Sequence, residues 1–213
     1  MSKVINSVKS ILITILIVFA IRTLIVHAYR ITSGSMEDTI LIGDFILSDR
    51  LTYGAPIEIP FTGIVLGKLP SIRIPERGEV VVFSSWENPA DDLIKRCVGL
   101  PGDTVAMRNN VIFVNGRALP IFSNIKRGQH NLIGFNQRIF DTANWDQKIV
   151  PSGCIFVIGD NIDNSADSRF FGVVPMESIK ARAVVVYFSL DTSKSPLNIS
   201  EFVRWNRIGR MIS

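Results

Sequence analysis

At 213 residues the chain is long enough for one well-packed domain, or for one domain carrying an inserted subdomain. Its net charge of +4 comes without a dense Lys/Arg run interleaved with aromatics, which argues against a nucleic-acid partner. Hydrophobic residues make up 47% and the mean hydropathy of +0.30 is high for a soluble domain. Much of that excess lies before Tyr29, so the chain reads as an anchor followed by a domain.

Residues 1–29 are assigned to a cytoplasmic N-terminus and a transmembrane anchor. The run Ile11 to Ile21 is apolar apart from Thr14, and it resumes after Arg22 as Thr23-Leu24-Ile25-Val26. A bilayer core needs about 20 apolar residues, and Ile11 to Ala28 comes close to that if Arg22 reaches back to the interface. The alternative is a cleaved signal peptide, with Lys3 and Lys9 at its head and Val26-His27-Ala28 at its cleavage site. Arg22 interrupts the apolar run and little linker follows it, which favours the anchor. Lys3 and Lys9 favour an N-terminus inside, although Arg22 and Arg30 nearly balance them.

Residues 30–190 form the expected β-rich domain. Short β-branched or aromatic runs recur there: Phe45-Ile46-Leu47, Glu79 to Phe83, Val111 to Val114, Ile155 to Ile158 and Ala183 to Phe188. Each is bounded by Gly, Pro or Asp, and no long helical period follows the anchor, which predicts a mainly β, antiparallel domain. Asn109-Asn110 and Asn115-Gly116 read as turns, the latter opening a hairpin. The stretch Pro56 to Pro75, rich in Pro and Gly, reads as a long loop or mobile hairpin. Ser123 to Gln147 lacks periodicity and reads as part of an inserted lobe, placed at 104–153. The last segment, 191–213, is a basic tail that either lies near lipid headgroups, with Trp205 at the interface, or forms a solvated C-terminal helix end.

The two cysteines, Cys97 and Cys154, make no disulfide framework and lack metal-ligand spacing. A single bridge between them and two free thiols both stay open.

Three segments carry candidate chemistry. In Ser33-Gly34-Ser35-Met36 the glycine permits a sharp turn that presents one hydroxyl, with a second hydroxyl or a backbone N–H near enough to hold an oxyanion. In Leu93-Ile94-Lys95-Arg96 an apolar strand leads into Lys95, and burial would lower that amine toward a pKa at which it can deprotonate serine. Each segment alone also fits an ordinary surface loop. The third, Gly159 to Arg169, is dense in Asp and Asn. It lacks the sixth-position Gly and final Glu of a calcium loop. It fits better as a hydrogen-bonded loop in which Asp167 and Arg169 pair and hold Ser165 toward the site.

Together these segments resemble the boxes of bacterial type I signal peptidases (leader peptidases). The matching pieces are Ser33-Gly34-Ser35-Met36 with Thr39, Gly43-Asp44-Phe45-Ile46-Leu47, Arg77 to Phe83, Lys95-Arg96 with Gly99 and Pro101-Gly102-Asp103, and Gly159 to Arg169. The resemblance implies a Ser/Lys serine endopeptidase with a β-rich core and an inserted β lobe, needing neither cofactor nor metal. Ser35 would be the nucleophile and Lys95 the general base. Ser33 and the Ser35 N–H would form the oxyanion hole, Ser165 would orient Lys95, and Asp167 and Arg169 would support them. Ile31, Met36 and Ile94 are expected as walls of shallow substrate pockets.

The implied partners are signal peptides of exported preproteins and the lipid bilayer, with the domain outside the bacterial cytoplasmic membrane. Cleavage would follow small-x-small sequences. Asp38 stands where the family usually has Pro, and Ile162 where it usually has Arg. Two rivals are a self-cleaving repressor-type Ser/Lys protease, which would need a DNA-binding N-terminus, and an inactive membrane-tethered peptide-binding protein of the same fold.

Overall fold

The computed structural model describes residues 2–54, 56–58, 65–88, 91–109, 111–119 and 145–213. A helix α1 (Ser2–Leu24) opens the chain, followed by strands β1 (Val26–Arg30), β2 (Asp44–Asp49), β3 (Pro56–Glu58) and β4 (Val65–Lys68). Next come β5 (Val80–Ser84), β6 (Asp92–Gly99), β7 (Thr104–Arg108), β8 (Val111–Val114), β9 (Arg117–Ala118), β10 (Trp145–Ile149) and β11 (Cys154–Ile158). The chain ends with α2 (Ser168–Phe171), β12 (Val174–Pro175), β13 (Ile179–Ser189), α3 (Ile199–Phe202) and β14 (Arg210–Met211).

The main sheet runs in the order β1-β2-β13-β5-β6-β11-β12, with β14 also paired to β13, and all of its pairings are antiparallel. A second sheet, β10-β7-β8-β9, is built from the chain between β6 and β11. Its β8–β9 connection is the two-residue turn Asn115-Gly116, with φ of +52° and +76°. Positive φ at both positions is what a right-twisted hairpin needs, and Asn-Gly supplies it at low cost. Of the stretch Ser123 to Gln147, only residues 145–147 fall within the described residues. The Pro56 to Pro75 stretch contains the β3–β4 pair, with residues 59–64 outside the described set.

The expected anchor is corrected at its end. The helix stops at Leu24, and Val26 to Arg30 pair along their whole length with β2, from Val26 opposite Asp49 to Arg30 opposite Phe45. β-branched and aromatic side chains suit that edge position, and the sheet satisfies backbone groups that a longer helix would otherwise have used. Residues 26–29 therefore belong to the catalytic sheet. The apolar helical run shrinks to Ile11 through Leu24, about 21 Å at about 1.5 Å per residue, against a hydrocarbon core of about 30 Å. Among the described residues no helix is both long and apolar enough to cross a membrane.

The basic tail 191–213 packs onto the main sheet. Val203 bridges to Leu190, β14 pairs with β13, and Arg207 and Ile212 are buried. Trp205 remains 60% exposed.

Three apolar clusters hold the molecule together. One joins Ile31, Met36, Ile40, Ile46, Val80, Ala183, Val186 and Ile212 around the start of the main sheet. Along β11 the side chains alternate: Ile155 and Val157 enter a second cluster with Cys97, while Phe156 and Ile158 enter a third, against which Cys154 packs. That alternation keeps the two thiols apart, and both are free. Burial pushes the Cys97 thiol up to about 12, so it is an inert core side chain.

Candidate active site

The loop after β1 closes on itself through Ile31 N donating to Asp44 O and Gly43 N donating to Ile31 O, at 2.9 and 3.0 Å. Inside it Glu37 N donates to Gly34 O, and Thr39 N and Ile40 N both donate to Met36 O. Met36 and Ile40 sink into the first apolar cluster beside Ile31, at 2% and 0% exposure. These two plugs fix the turn on which the half-buried Ser35 sits.

A second loop, running from Gly159 to Asp167, meets this turn. Asn161 donates from its backbone N to Ser35 O at 3.1 Å and from Nδ2 to Gly34 O at 3.0 Å. Gly159 permits the approach: a Cβ there would lie 2.1 Å from Ser165 Oγ and 2.5 Å from Ser35 O. Asp167 accepts from Gly159 N at 3.0 Å and pairs with Arg169 Nε at 2.8 Å, both side chains essentially buried. The guanidinium also donates to Ile162 O and Ser165 O, so the ion pair spans the loop from within. The pairing expected of Asp167 and Arg169 is therefore present.

Lys95 lies on β6 opposite Val81 and is 3% exposed. Its Nζ sits 2.7 Å from Ser35 Oγ. Burial lowers its pKa to about 8, with the Arg169 charge acting in the same direction and Asp167 and Asp160 opposing it. A lysine in that range offers a neutral amine at mildly alkaline pH, and at this distance it can take the proton of the serine hydroxyl.

The other expected residues divide. Ile31, Met36 and Ile94 converge on one apolar cluster, although the first two are largely buried beneath the turn. Ser33 is exposed and makes no hydrogen bond among the described residues. Ser165 Oγ is buried with no hydrogen-bond partner among the described residues, and the Lys95 amine bonds Ser35 rather than Ser165. A cleft of about 470 Å3 lined by Arg77, Glu79, Arg96 and Arg182 includes neither Ser35 nor Lys95.

Sequence reasoning gave no role to Arg96 and Asp160. They form a buried pair, with Arg96 Nε and Nη2 at 2.8 and 2.7 Å from the carboxylate oxygens, and Arg96 also reaches Thr39 Oγ1 at 3.3 Å. The signal was their position in the quoted motifs, Arg96 next to Lys95 and Asp160 within the Gly159 to Arg169 segment.

The family profile described as signal peptidase, peptidase S26, matches residues 4–188. The chain belongs to this signal peptidase family. It is 31% identical to a signal peptidase I of Pseudomonas fluorescens over 232 residues, covering 94% of this chain and 77% of the relative. The signal peptidase I of Aquifex aeolicus is 30% identical, with 86% and 84% covered. A solved signal peptidase I from Enterococcus faecalis V583 shares 32% identity over 53% of this chain and 98% of its own, with a TM-score of 0.41. The chain is thus a serine peptidase of the signal peptidase type.

Its two departures from the usual signal peptidase boxes have visible structural consequences. Asp38 has φ +86° as the third residue of the turn closed by Thr39 N and Met36 O, a conformation that proline cannot adopt. Ile162 is 9% exposed and joins the third apolar cluster, so core packing stands where a charge was expected.

Proposed function

We propose that the chain removes N-terminal signal peptides from exported preproteins by a Ser35/Lys95 dyad. The observation that carries this reading is the 2.7 Å contact between a buried, pKa-lowered lysine and a serine on a fixed turn. Neutral Lys95 takes the Ser35 proton as Oγ attacks the scissile carbonyl. The oxyanion rests on the Ser35 N–H and on Ser33, whose exposed hydroxyl is free to turn toward it. The lysine ammonium then protonates the leaving amine as the peptide bond breaks, leaving an ester on Ser35. Lys95 next activates water, which releases the acid and restores the serine. Asp167 and Arg169 hold the loop that backs Lys95, and Ser165, a member of that loop with a hydroxyl unpaired among the described residues, would turn to orient the amine during the reaction. Small residues on the substrate would meet the partly exposed Ile94, with Ile31 and Met36 buried in the same apolar cluster.

The reading also places the enzyme at a bacterial cytoplasmic membrane, tethered by α1 with the N-terminus inside and the domain outside. Ile11, Leu12, Ile13, Ile15, Ile17 and Val18 each leave more than half of their surface open, which is what a lipid-facing helix offers. The proposed domain limits, an anchor, a catalytic core with an inserted lobe at 104–153 and a closing segment, follow from this arrangement.

The test is cleavage of a preprotein by detergent-solubilised enzyme. Ser35→Ala and Lys95→Ala should each reduce kcat by at least about a thousandfold, in line with removing a nucleophile or its base. Full activity in either variant sinks the assignment. Protease protection of the domain in sealed inverted vesicles tests the tether.

A further inference from the structure

The profile of the family ends at residue 188, yet the segment beyond it reaches the turn that carries Ser35. Arg207, 6% exposed, donates from Nε and Nη2 to the Asp44 carboxylate at 3.0 and 2.6 Å, and from Nη2 to the backbone oxygen of Thr39 at 2.9 Å. Asp44 is fully buried. It also accepts from Ser189 Oγ at 2.6 Å and, through its other oxygen, from Leu41 N at 2.8 Å. One carboxylate therefore ties the closing segment, the end of β13 and the loop behind the nucleophile into a single network.

Three further contacts run the same way. Arg204 Nη2 donates to Ile42 O and Leu190 O, and Leu190 N donates to Gly43 O at 2.9 Å. Gly43 has no room for a side chain, since a Cβ there would lie 2.2 Å from Leu190 O. Ile212, at 6% exposure, enters the cluster that seats Met36 and Ile40. Thr39 is thus held at both ends: its carbonyl by Arg207 and its hydroxyl by Arg96, the neighbour of Lys95.

We infer that Arg207 is a positioning residue for the reaction. It holds the 36–44 loop so that Ser35 stays within reach of Lys95. The fork of a guanidinium is needed because two acceptors, the Asp44 carboxylate and the Thr39 carbonyl, must be met by one head group. A lysine ammonium keeps the charge but cannot span both. Neither group touches the reacting atoms, so the effect falls on how often Ser35 and Lys95 are aligned and not on how peptide binds.

This inference rests on the Ser35/Lys95 reading, so both are tested together on the full chain in detergent with a signal-peptide substrate. Ser35→Ala establishes the background. For Arg207→Lys, assayed well below its unfolding midpoint, kcat should fall at least tenfold with KM within twofold of the parent. The rise of kcat with pH should also shift, because the lysine environment changes with the alignment. Unchanged kcat in folded Arg207→Lys, with Ser35→Ala inactive, overturns the inference and leaves the dyad standing. Activity in Ser35→Ala overturns the dyad itself.

Should Arg207→Lys not fold, Asp44→Asn keeps the side-chain shape and removes the charge that seats Arg207. It should show the same split with a fall of a few-fold. Parent kcat in that variant overturns the inference.

Discussion

Lys95 Nζ lies 2.7 Å from Ser35 Oγ although the two residues are 60 positions apart in the chain. The pH dependence of cleavage follows from this contact. Burial lowers the lysine to about 8, so the amine is mostly ammonium at pH 6 and mostly neutral at pH 9. Cleavage should climb about tenfold per pH unit at the acid end and level off above about 8. A kcat/KM profile flat between pH 6 and 9 contradicts a lysine base.

The same burial costs stability. A lysine that titrates below its free value disfavours the folded state wherever the unfolded chain would hold the proton. That cost is full below about pH 8 and fades as pH rises toward 10.5. Its size is about 3 kcal/mol, at about 1.36 kcal/mol per pH unit. Lys95→Met should therefore be inactive yet melt higher than the parent at pH 7, with the gap closing by pH 10. Thermal unfolding at the two pH values measures this.

Gly159→Ala should be nearly inactive. The added methyl meets Ser165 Oγ and the Ser35 carbonyl, two groups that cannot both retreat while Asn161 still bonds Ser35 and Gly34. Kinetics should show kcat down by about a hundredfold, and denaturant unfolding a loss of about 1–3 kcal/mol. Wild-type kcat here contradicts the close apposition of the two loops at Gly159.

Asp38 tests the turn from the other side. At φ +86° a glycine is unstrained, so Asp38→Gly should stabilise by about 1 kcal/mol with activity unchanged. Asp38→Pro forces φ near −65° and should lower both the unfolding midpoint and kcat. The reverse order of midpoints for these two variants is the outcome that contradicts the turn geometry.

Asp167→Ala leaves Arg169 and the Gly159 N–H without their carboxylate inside the protein. Removing one member of such a pair costs about 3–5 kcal/mol, far more than a surface pair contributes. Urea unfolding should show a loss of that size; a loss under about 1 kcal/mol argues that water reaches the pair.

Much of this was legible from the residues alone. Runs such as Val80 to Phe83 and Ile155 to Ile158 announce strands because β-branched and aromatic side chains fill both faces of a buried sheet. Asn115-Gly116 announces its hairpin because few dipeptides tolerate two positive φ angles. The end of the helix was not legible, because Val26 to Tyr29 is apolar enough to continue a membrane run and only pairing with β2 diverts it. In the site, Ser35, Lys95, Asp167 and Arg169 stood out through local motifs. The Arg207–Asp44 link did not, since its partners are 163 residues apart and, although Asp44 lies in a recognisable motif, nothing around Arg207 marks it as the partner.

The order of strands in the main sheet carries a last consequence. β2, which follows the Ser35 turn, and β6, which bears Lys95, are separated by β13 and β5, and β13 is contributed by residues 179–189. The sheet that joins the Ser35 turn to Lys95 is therefore continuous only when β13, which follows both in sequence, is in place. Without β13, the turn that carries Ser35 and the strand that bears Lys95 would have no continuous sheet between them. On the proposed dyad the fold would then work as a safety catch, with cleavage beginning only once β13 has joined β2 to β5.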